Sequence, residues 1–460
     1  MSLLKVKSRN DYKDNLEIKN TLNNKLSYDN NLKENLNFEY NIKLRENIFD
    51  LNIDDYLDLG IRNNNKRRFL FISKTLGKHL PCRVSDMDDL GLKIVKAYEK
   101  KYNYLNSGVI ISFAETATGL GHSVFNHINA DFEFIHTTRE IVKNKKTLDF
   151  LEEHSHATDH YLYYEDLNYF KDGEEIILVD DEITTGNTCI NLIKKINNLY
   201  PKKRYTICSI LNWMDEDSFK RFKSLEKDLN TEINFVYLFS GSFTFKCDEE
   251  KIKSKIKESE NIDKYILKKN KLKVNYIYID MDKYEQNKKY LKYTGRFGIN
   301  KKDQLDLISK VKNECFKLNI LDNEKVLFLG SEEFMYIPML FADQFKKSDI
   351  YYHSTTRSPI IDIDIDNYPI KTKFTHNSLY NKGVVNYVYN IDKIKYDKCF
   401  LFCEINEPNK LSTNNNIAKI ELVSIHFRFG QTKLIIPIPT KAIKMPLIQY
   451  SIPSQRYSTP

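Results

Sequence analysis

The chain has 460 residues, enough for two or three domains that each bury a core of their own. Its formal net charge of +8 is modest for this length and is compatible with a phosphorylated ligand or with nucleic acid. No stretch of about 18 apolar residues occurs, and the start MSLLKVKSRNDYKDN has too short an apolar run for a signal peptide, so the sequence predicts neither membrane spans nor secretion.

Seven cysteines are spread over the chain without a CxxC pair or the spacing of a zinc site. An odd number of cysteines in a long chain is typical of reduced thiols. We therefore expect a cytoplasmic protein.

The chain begins with a polar, Asn-rich segment, residues 1 to 35, which we interpret as a loose arm that adds little core. In residues 36 to 44 apolar and polar side chains alternate, which predicts a half-buried strand. Residues 66 to 80 combine a basic cluster with an apolar segment. Their Lys74, Lys78 and His79 either reach an anionic ligand or belong to a solvated basic face.

Residues 107 to 128 have the pattern of a strand, a loop of small residues from 114 to 121, and a helix. Loops at the carboxyl ends of parallel strands are common ligand positions in open α/β sheets, although a structural glycine turn would look similar.

The next predicted strand, residues 132 to 135, is followed by a Thr-Thr-Arg sequence whose Arg139 offers a forked guanidinium suited to phosphate. Residues 152 to 160 then contain three histidines, His154, His156 and His160. They could bind a metal, belong to a loop that closes over a substrate, or lie in a solvated loop.

The most informative stretch is IILVDDEITTGNT, residues 176 to 188. Its apolar start predicts a buried strand, its end leads into a helix, and two carboxylates, Asp180 and Asp181, lie between them. The first N–H groups of a helix and nearby hydroxyls bind anions, so this turn is predicted to bind a phosphate. Paired carboxylates suit sugar hydroxyls or Mg²⁺. The residues of the anion-binding turn are Thr184, Thr185, Gly186, Asn187 and Thr188.

These residues resemble the fingerprint by which type I, orotate phosphoribosyltransferase-like enzymes bind phosphoribosyl pyrophosphate (PRPP). Glu182 departs from it, because the family usually has an apolar residue there. The resemblance implies an open, mostly parallel sheet flanked by helices, with Asp180 and Asp181 holding the ribose or Mg²⁺ and Thr184 to Thr188 holding the 5-phosphate. It also implies that pyrophosphate binds at Arg139 and at the loop from 114 to 121, although that loop contains no Lys or Arg. The candidate binding residues in this loop are then Glu115, Thr116, Thr118 and Gly119.

The second half repeats this layout. Thr137 and Arg139 align without gaps on Thr355 and Arg357, at an offset of 218 residues (355 − 137 = 357 − 139), and Glu115 then falls on Glu333. We therefore expect a phosphoribosyltransferase-like domain at 36 to 245, a charged linker or helix at 246 to 272, and a second α/β domain of similar layout at 273 to 460.

Thr356-Arg357-Ser358-Pro359 resembles the namesake motif of the TRSP domain, which follows a phosphoribosyltransferase domain in proteins of tellurium-resistance gene clusters. The second half lacks a Thr-Thr-Gly-x-Thr turn, so we do not expect it to bind PRPP in the same way. Arg296, Glu333 and Arg357 either line a second anionic pocket or form a structural ion pair.

The resemblance implies a Mg²⁺-dependent phosphoribosyltransferase that joins PRPP and a nucleobase-like nitrogen acceptor, or runs in reverse, in nucleotide or nucleoside-like metabolite synthesis. The alternative is a PRPP- or nucleotide-sensing regulator without turnover, which the lack of a basic residue in residues 114 to 121 favours. No nucleic-acid-binding motif is recognised, so nucleic acid is not the expected partner. A homodimer is compatible with the sequence.

Overall fold

The computed structural model describes residues 38–62, 64, 67–102, 107–150, 160–164, 169–254, 274–282, 284, 290–378, 380–381, 383–404 and 418–425. The predicted N-terminal arm, His154 and His156, and most of the predicted linker lie outside these residues. No helix of the described part is long and apolar enough to cross a membrane.

The first half of the chain contains strands and helices in alternation. Its strands are β1 (Phe38–Asn47), β2 (Leu57–Ile61), β3 (Phe69–Ser73), β4 (Ser107–Ser112), β5 (Asp131–His136), β6 (Leu148–Phe150), β7 (His160–Leu162), β8 (Glu175–Ile183), β9 (Arg204–Asn212) and β10 (Glu232–Cys247). Its helices are α1 (Val84–Lys101), α2 (Ala117–His127), α3 (Tyr169–Asp172), α4 (Asn187–Leu199) and α5 (Glu216–Leu229), with a short 3₁₀ turn at Ile53–Asp55.

The main sheet of this half has the order β1-β10-β9-β8-β4-β5. All its pairs are parallel except that of β1 with β10. The strand β8 explains the layering, because its apolar run is buried on both faces. Ile177 and Val179 pack with the residues of α1 and α2, whereas Ile176 and Leu178 pack with those of α4 and α5. Two antiparallel hairpins, β2–β3 and β6–β7, stand outside the main sheet.

The second half is built in a related way. Its strands are β11 (Val274–Met281), β12 (Lys325–Gly330), β13 (Asp349–Ser354), β14 (Lys373–Asn377), β15 (Val385–Tyr389), β16 (Lys398–Glu404) and β17 (Ala418–Ile425). Its helices are α6 (Lys301–Glu314) and α7 (Tyr336–Ala342), with 3₁₀ turns at Lys292–Thr294 and Cys315–Leu318. The sheet order is β11-β17-β16-β12-β13, in which β16, β12 and β13 are parallel.

The predicted fold class is confirmed: an open, mostly parallel sheet flanked by helices is followed by a second α/β domain of similar layout. The boundaries of β12 and β13 are those of β4 and β5 shifted by the 218 residues that the sequence alignment gave. The difference lies at β17, which runs antiparallel to β16, whereas β9 runs parallel to β8.

The two halves pack directly against each other. One β-bridge joins Cys82 of the first half to Tyr352 of the second, and another joins Phe134 to Ile299. A single apolar cluster contains buried residues of both halves, including Phe134 and Tyr352. The second half therefore covers the carboxyl side of β4 and β5, where the sequence predicts ligand-binding residues.

Candidate phosphate and ribose site

The carboxylates of the central motif lie within β8, which is longer than the apolar run alone predicts. The strand continues to Ile183 because β9 accompanies it as far as Asn212, with Asp180 opposite Ser209 and Glu182 opposite Leu211. Asp180 accepts a hydrogen bond from the backbone N–H of Asp181 at 2.9 Å. The three carboxylates are thus held by strand pairing rather than by a mobile turn.

The surroundings of Asp181 favour its protonated form. Burial raises the pKa of Asp181 to about 6, and the neighbouring Glu182 charge acts in the same direction, while a hydrogen bond with Asp180 and the charge of Arg67 oppose the shift. A bound cation would remove this penalty, because it favours the charged carboxylate. The position therefore suits a metal ion or a polarised hydroxyl.

Glu182, the residue that departs from the family fingerprint, forms an ion pair with Arg67 of the β2–β3 hairpin. Both of its carboxylate oxygens accept from Arg67 Nη2, at 2.7 and 2.9 Å. The guanidinium of Arg67 also lies 4.6 Å from the centre of the Phe69 ring. This partner was not predicted from the sequence, although the basic cluster before β3 is a signal of a cation near the site.

The predicted phosphate turn connects β8 to α4. Gly186 has φ +74°, and a Cβ atom at this position would lie 2.4 Å from Cε2 of Phe222 on α5, so only glycine fits without a shift. Gly186 has no side chain to cap the first N–H groups of α4. Thr185 is drawn into the turn, because its hydroxyl accepts from Asn187 N at 3.4 Å and its carbonyl from Arg221 at 3.0 Å. Thr184 and Thr188 are half-buried beside it.

The register of the sheet brings three predicted segments to one edge. Ser112 at the end of β4 lies opposite Val179 of β8 and opposite His136 of β5. The Glu115 loop follows Ser112, the carboxylates Asp180 and Asp181 follow Val179, and the Thr-Thr-Arg sequence follows His136. The Glu115 loop is tied to the last of these, because Ala114 N donates to Thr137 Oγ1 at 2.8 Å.

The predicted loop from 114 to 121 is too long, since α2 already begins at Ala117. Thr118 is 1% exposed and its hydroxyl donates to Glu115 O at 2.9 Å, which closes the first helical turn. Gly119 is buried in the helix against methionines of both halves. Glu115 and Thr116 remain at the edge of the sheet, whereas Thr118 and Gly119 belong to the helix that supports them.

Glu115 faces cations from both halves. Its carboxylate lies 3.3 Å from Lys78 Nζ and 3.0 Å from Arg357 Nε. Lys78 is itself 1% exposed, and burial lowers its pKa although Glu115 opposes that shift. The basic groups absent from the loop sequence are therefore supplied from elsewhere in the chain.

Arg139 follows β5, and its backbone N–H donates to Glu333 Oε2 at 3.4 Å, while Thr138 donates to Glu333 Oε1 at 2.6 Å. His160 is buried on β7, with its Nδ1 2.9 Å from Thr137 Oγ1. The predicted anion-binding arginine thus lies at the boundary between the two halves.

The second-half candidates also meet at this boundary. Arg296 is 3% exposed and donates to Glu333 at 2.8 and 3.1 Å and to Glu404 at 3.0 Å through two nitrogens. Burial would raise the pKa of Glu333, yet the adjacent Arg296 holds it at about 2. Arg357 contacts Glu332 in the same way that Arg296 contacts Glu404, by a guanidinium-to-carboxylate bond. The arginines of this region therefore face carboxylates of the protein.

The fit of the site to Mg²⁺ rests on Asp180 and Asp181. Mg²⁺ is commonly held by one or two carboxylates together with substrate phosphates, and these two residues provide that number beside the phosphate turn. Within the described ranges no group of three or more His, Cys, Asp and Glu side chains could hold a metal by itself. A metal here would complete its coordination with water or with oxygens of a bound phosphate.

Comparison with known proteins agrees with the sequence-based prediction of domain order. Residues 56–242 match the family described as phosphoribosyl transferase, and residues 293–419 match the family described as the TRSP domain C-terminal to it. Among curated proteins, the chain is 25% identical over 306 residues to dynein heavy chain-like protein 2 of Plasmodium falciparum. That match covers 61% of this chain but only 6% of the length of the other protein.

Similar solved structures include two adenine phosphoribosyltransferases. The enzyme from Rhodothermus marinus is 14% identical, with 40% of this chain and 94% of the other covered and a TM-score of 0.28. The enzyme from Saccharomyces cerevisiae is 10% identical, with 39% and 93% covered and a TM-score of 0.27. Likeness at this level does not transfer a function. The two family matches together show that this chain belongs to the proteins in which a phosphoribosyltransferase domain is followed by a TRSP domain.

Proposed function

We propose that the first domain transfers the phosphoribosyl group of PRPP to a nitrogen of a nucleobase-like acceptor and releases pyrophosphate. The observation that carries the proposal is the meeting of three segments at one sheet edge: the β8 carboxylates, the Thr-rich turn before α4, and the Glu115 loop beside the Thr-Thr-Arg sequence. PRPP has three corresponding parts, namely a ribose with hydroxyls, a 5-phosphate and a pyrophosphate.

The turn before α4 supports binding of the 5-phosphate. Its backbone N–H groups and threonine hydroxyls are donors, and the partial positive charge at a helix N-terminus favours an anion. Gly186 keeps the turn narrow because Phe222 packs against it. A phosphate held there by backbone groups would not depend on a Lys or Arg of the turn.

Asp180 and Asp181 would hold the ribose hydroxyls or a Mg²⁺ that also contacts pyrophosphate. The metal would supply positive charge to the departing pyrophosphate oxygens. The raised pKa of Asp181 implies that the carboxylate gains from a cation or a hydroxyl donor on binding. Glu182 is committed to Arg67 and is not part of this set.

The transfer itself needs little covalent chemistry from the protein. The acceptor nitrogen donates its lone pair to C1 of the ribose while the C1–O bond to pyrophosphate breaks, and the electrons of that bond leave with the pyrophosphate oxygen. Positive character develops on the ribose when bond breaking runs ahead, so fixing both partners and stabilising the leaving anion are the main contributions. Arg139, at the edge next to the Glu115 loop, is the proposed partner of that anion.

A PRPP- or nucleotide-sensing regulator is the second candidate. It is favoured by the lack of Lys or Arg in residues 114 to 121 and by the pairing of Glu115 with cations of the protein. The sensor and the transferase share the binding step and differ in turnover. Reduced thiols fit a cytoplasmic location for either, since all seven cysteines are free. The link to nucleotide or nucleoside-like metabolites and to tellurium resistance is proposed from the domain order.

The proposal is tested by calorimetric titration of PRPP with Mg²⁺ into the wild type and into the double variant Asp180→Asn/Asp181→Asn. Asp217→Asn is the matched control, because Asp217 is a carboxylate 77% exposed on the neighbouring α5. Pyrophosphate release is followed with a panel of nucleobases in parallel.

Binding by the wild type and by Asp217→Asn, its loss in the double variant, and pyrophosphate release with one base would support the transferase. Tight binding without release for any base would favour the sensor. If the wild type does not bind PRPP, the central claim fails and the turn before α4 is an ordinary helix start.

A further inference from the structure

The contacts between the two halves are reciprocal. Arg357 N lies 3.4 Å from Glu115 Oε2, and Arg139 N lies 3.4 Å from Glu333 Oε2. Glu333 and Arg357 are the residues 218 positions after Glu115 and Arg139. Each half therefore sends a loop glutamate to the Thr-Thr-Arg sequence of the other half.

Local hydrogen bonds within each half follow the same equivalence. Ala114 N donates to Thr137 Oγ1 at 2.8 Å, and Glu332 N donates to Thr355 Oγ1 at 2.8 Å. The residue after each of these threonines forms a β-bridge to the hairpin of its own half, Thr138 to Tyr161 and Thr356 to Tyr387. The second domain thus lies against the first as one subunit of a two-fold dimer lies against another.

Arg357 is the cation of the second domain that approaches the Glu115 loop and still reaches solvent. Its side chain is 26% exposed, with Nε 3.0 Å from Glu115 Oε1 and Nη2 bonded to Glu332. Within the described residues its Nη1 makes no hydrogen bond. The N–H groups of Nη1 are therefore the donors that remain for a ligand bound at the loop.

Lys78, the other cation near Glu115, is in a different situation. Its ammonium donates to the carbonyls of Glu332 and Thr355 at 2.9 and 2.8 Å and to Ser354 Oγ at 3.3 Å, in addition to its ion pair with Glu115. An ammonium has three N–H donors, and these contacts occupy all three. Lys78 secures the second domain and has no donor left for a ligand.

We propose that Arg357 of the TRSP domain binds the pyrophosphate of PRPP in the site of the first domain, so that the site is complete only with both domains present. This inference rests on the proposed function, and it names the residue that supplies the positive charge absent from the loop 114 to 121. A forked guanidinium can donate two parallel hydrogen bonds to the oxygens of a diphosphate.

The opposite arrangement, a site in the second domain completed by Arg139, is excluded by what lies there. Gly330 is opposite Phe402 as Ser112 is opposite Val179, so Glu404 takes the position of Asp181. Glu404 is bonded to Arg296, which also holds Glu333. The equivalent space is filled by an ion-pair cluster of the protein.

The experiment measures binding of three probes to the full chain: PRPP with Mg²⁺, pyrophosphate with Mg²⁺, and ribose 5-phosphate. Arg357→Ala is expected to weaken the binding of PRPP and of pyrophosphate about 10- to 100-fold, because a charge-assisted contact is lost. The affinity for ribose 5-phosphate should stay unchanged. Arg357→Lys, which keeps the charge but not the fork, should lie between. Arg83→Ala is the matched control, because Arg83 also pairs across the domains, with Asp349, but away from the loop.

A double variant Arg357→Ala/Glu115→Gln separates binding from charge compensation. It should bind pyrophosphate as weakly as Arg357→Ala; recovery to the wild-type affinity would overturn the proposal, because Arg357 would then only neutralise Glu115. Equal weakening of all three probes in both Arg357 variants would overturn it as well. If the wild type binds PRPP and Arg357→Ala binds it equally well, this inference fails while the proposed function stands. Only a wild type that does not bind PRPP removes both.

Discussion

The ion-pair cluster of Arg296, Glu333 and Glu404 leads to a quantitative prediction for Arg296→Ala. All three side chains are at most 8% exposed, and removing the guanidinium leaves two buried carboxylates without their partner. Breaking a buried pair by removing one member costs about 3–5 kcal/mol. The pKa of Glu333, lowered from 4.5 to about 2, gives a similar figure of about 3 kcal/mol for that carboxylate.

Urea unfolding followed by circular dichroism measures this loss. Arg83→Ala is the control, because it removes an arginine that pairs across the domains while 44% exposed, and it should cost at most about 1 kcal/mol. In the wild type, the stability from Glu333 is fully present above pH 4.5 and is lost as the pH falls toward 2. Glu333→Gln should remove that part of the pH dependence.

The triple variant Arg296→Ala/Glu333→Gln/Glu404→Gln should regain part of the loss, since it leaves no buried charge unpaired. The reasoning is refuted if Arg296→Ala unfolds at the same urea concentration as Arg83→Ala. It is also refuted if the triple variant is no more stable than the single one, because the loss would then come from packing and not from charge.

Three further predictions concern the first domain. Gly186→Ala, which forces a Cβ against Phe222 at positive φ, should lower the thermal midpoint and weaken ribose 5-phosphate binding, both measured on the purified chain. Because the pKa of Asp181 is about 6, the affinity for PRPP with Mg²⁺ should fall as the pH drops through about 6, and Asp181→Asn should weaken binding and remove the part of this pH dependence that Asp181 adds to the titration of the ligand's own phosphate, measured by calorimetric titration. Arg67→Ala leaves Glu182 uncompensated and should move the same pH profile to higher pH, because the Arg67 charge lowers the pKa of Asp181.

Much of the first domain could be predicted from local patterns. The apolar run before Asp180, the glycine and threonines after it, and the return of helical spacing each have a direct physical meaning, and the structure forms β8, the turn and α4 from them. The position of Glu115 beside this turn followed from the rule that parallel strands end at one edge. These elements are determined mainly by residues close together in the chain, so a single sequence is enough to predict them.

The start of α2 and the partners of the glutamates could not be read in this way. Thr118 looks like a loop hydroxyl in the sequence, but it closes a helical turn through Glu115 O. The pairing of Glu182 with Arg67 joins residues 115 positions apart, and that of Glu115 with Arg357 joins residues 242 positions apart. Such contacts depend on how hairpins and domains pack, and no local periodicity encodes them.

The 218-residue offset was visible in the sequence, but the exchange of contacts between the two halves was not. Aligned glutamates and arginines could pair within each half or between the halves, and both arrangements fit the same alignment. The structure uses both, because Lys78 and Arg296 pair with the glutamate of their own half while the Thr-Thr-Arg backbones bind that of the other. A sequence repeat therefore indicated a shared fold but not the exchange of contacts.

The same exchange explains why the two domains can differ in function while sharing a framework. In the second domain the position of Asp181 is taken by Glu404, and the buried Arg296 of the same domain pairs with it, so this carboxylate is committed to a cation of the protein. In the first domain Glu182 is neutralised by Arg67, which leaves Asp180 and Asp181 at the edge of the sheet beside the predicted phosphate turn. The cations decide the difference: the buried Arg296 fills the equivalent space of the second domain together with two carboxylates, whereas Arg357 stays 26% exposed at the domain boundary and can take part in a site.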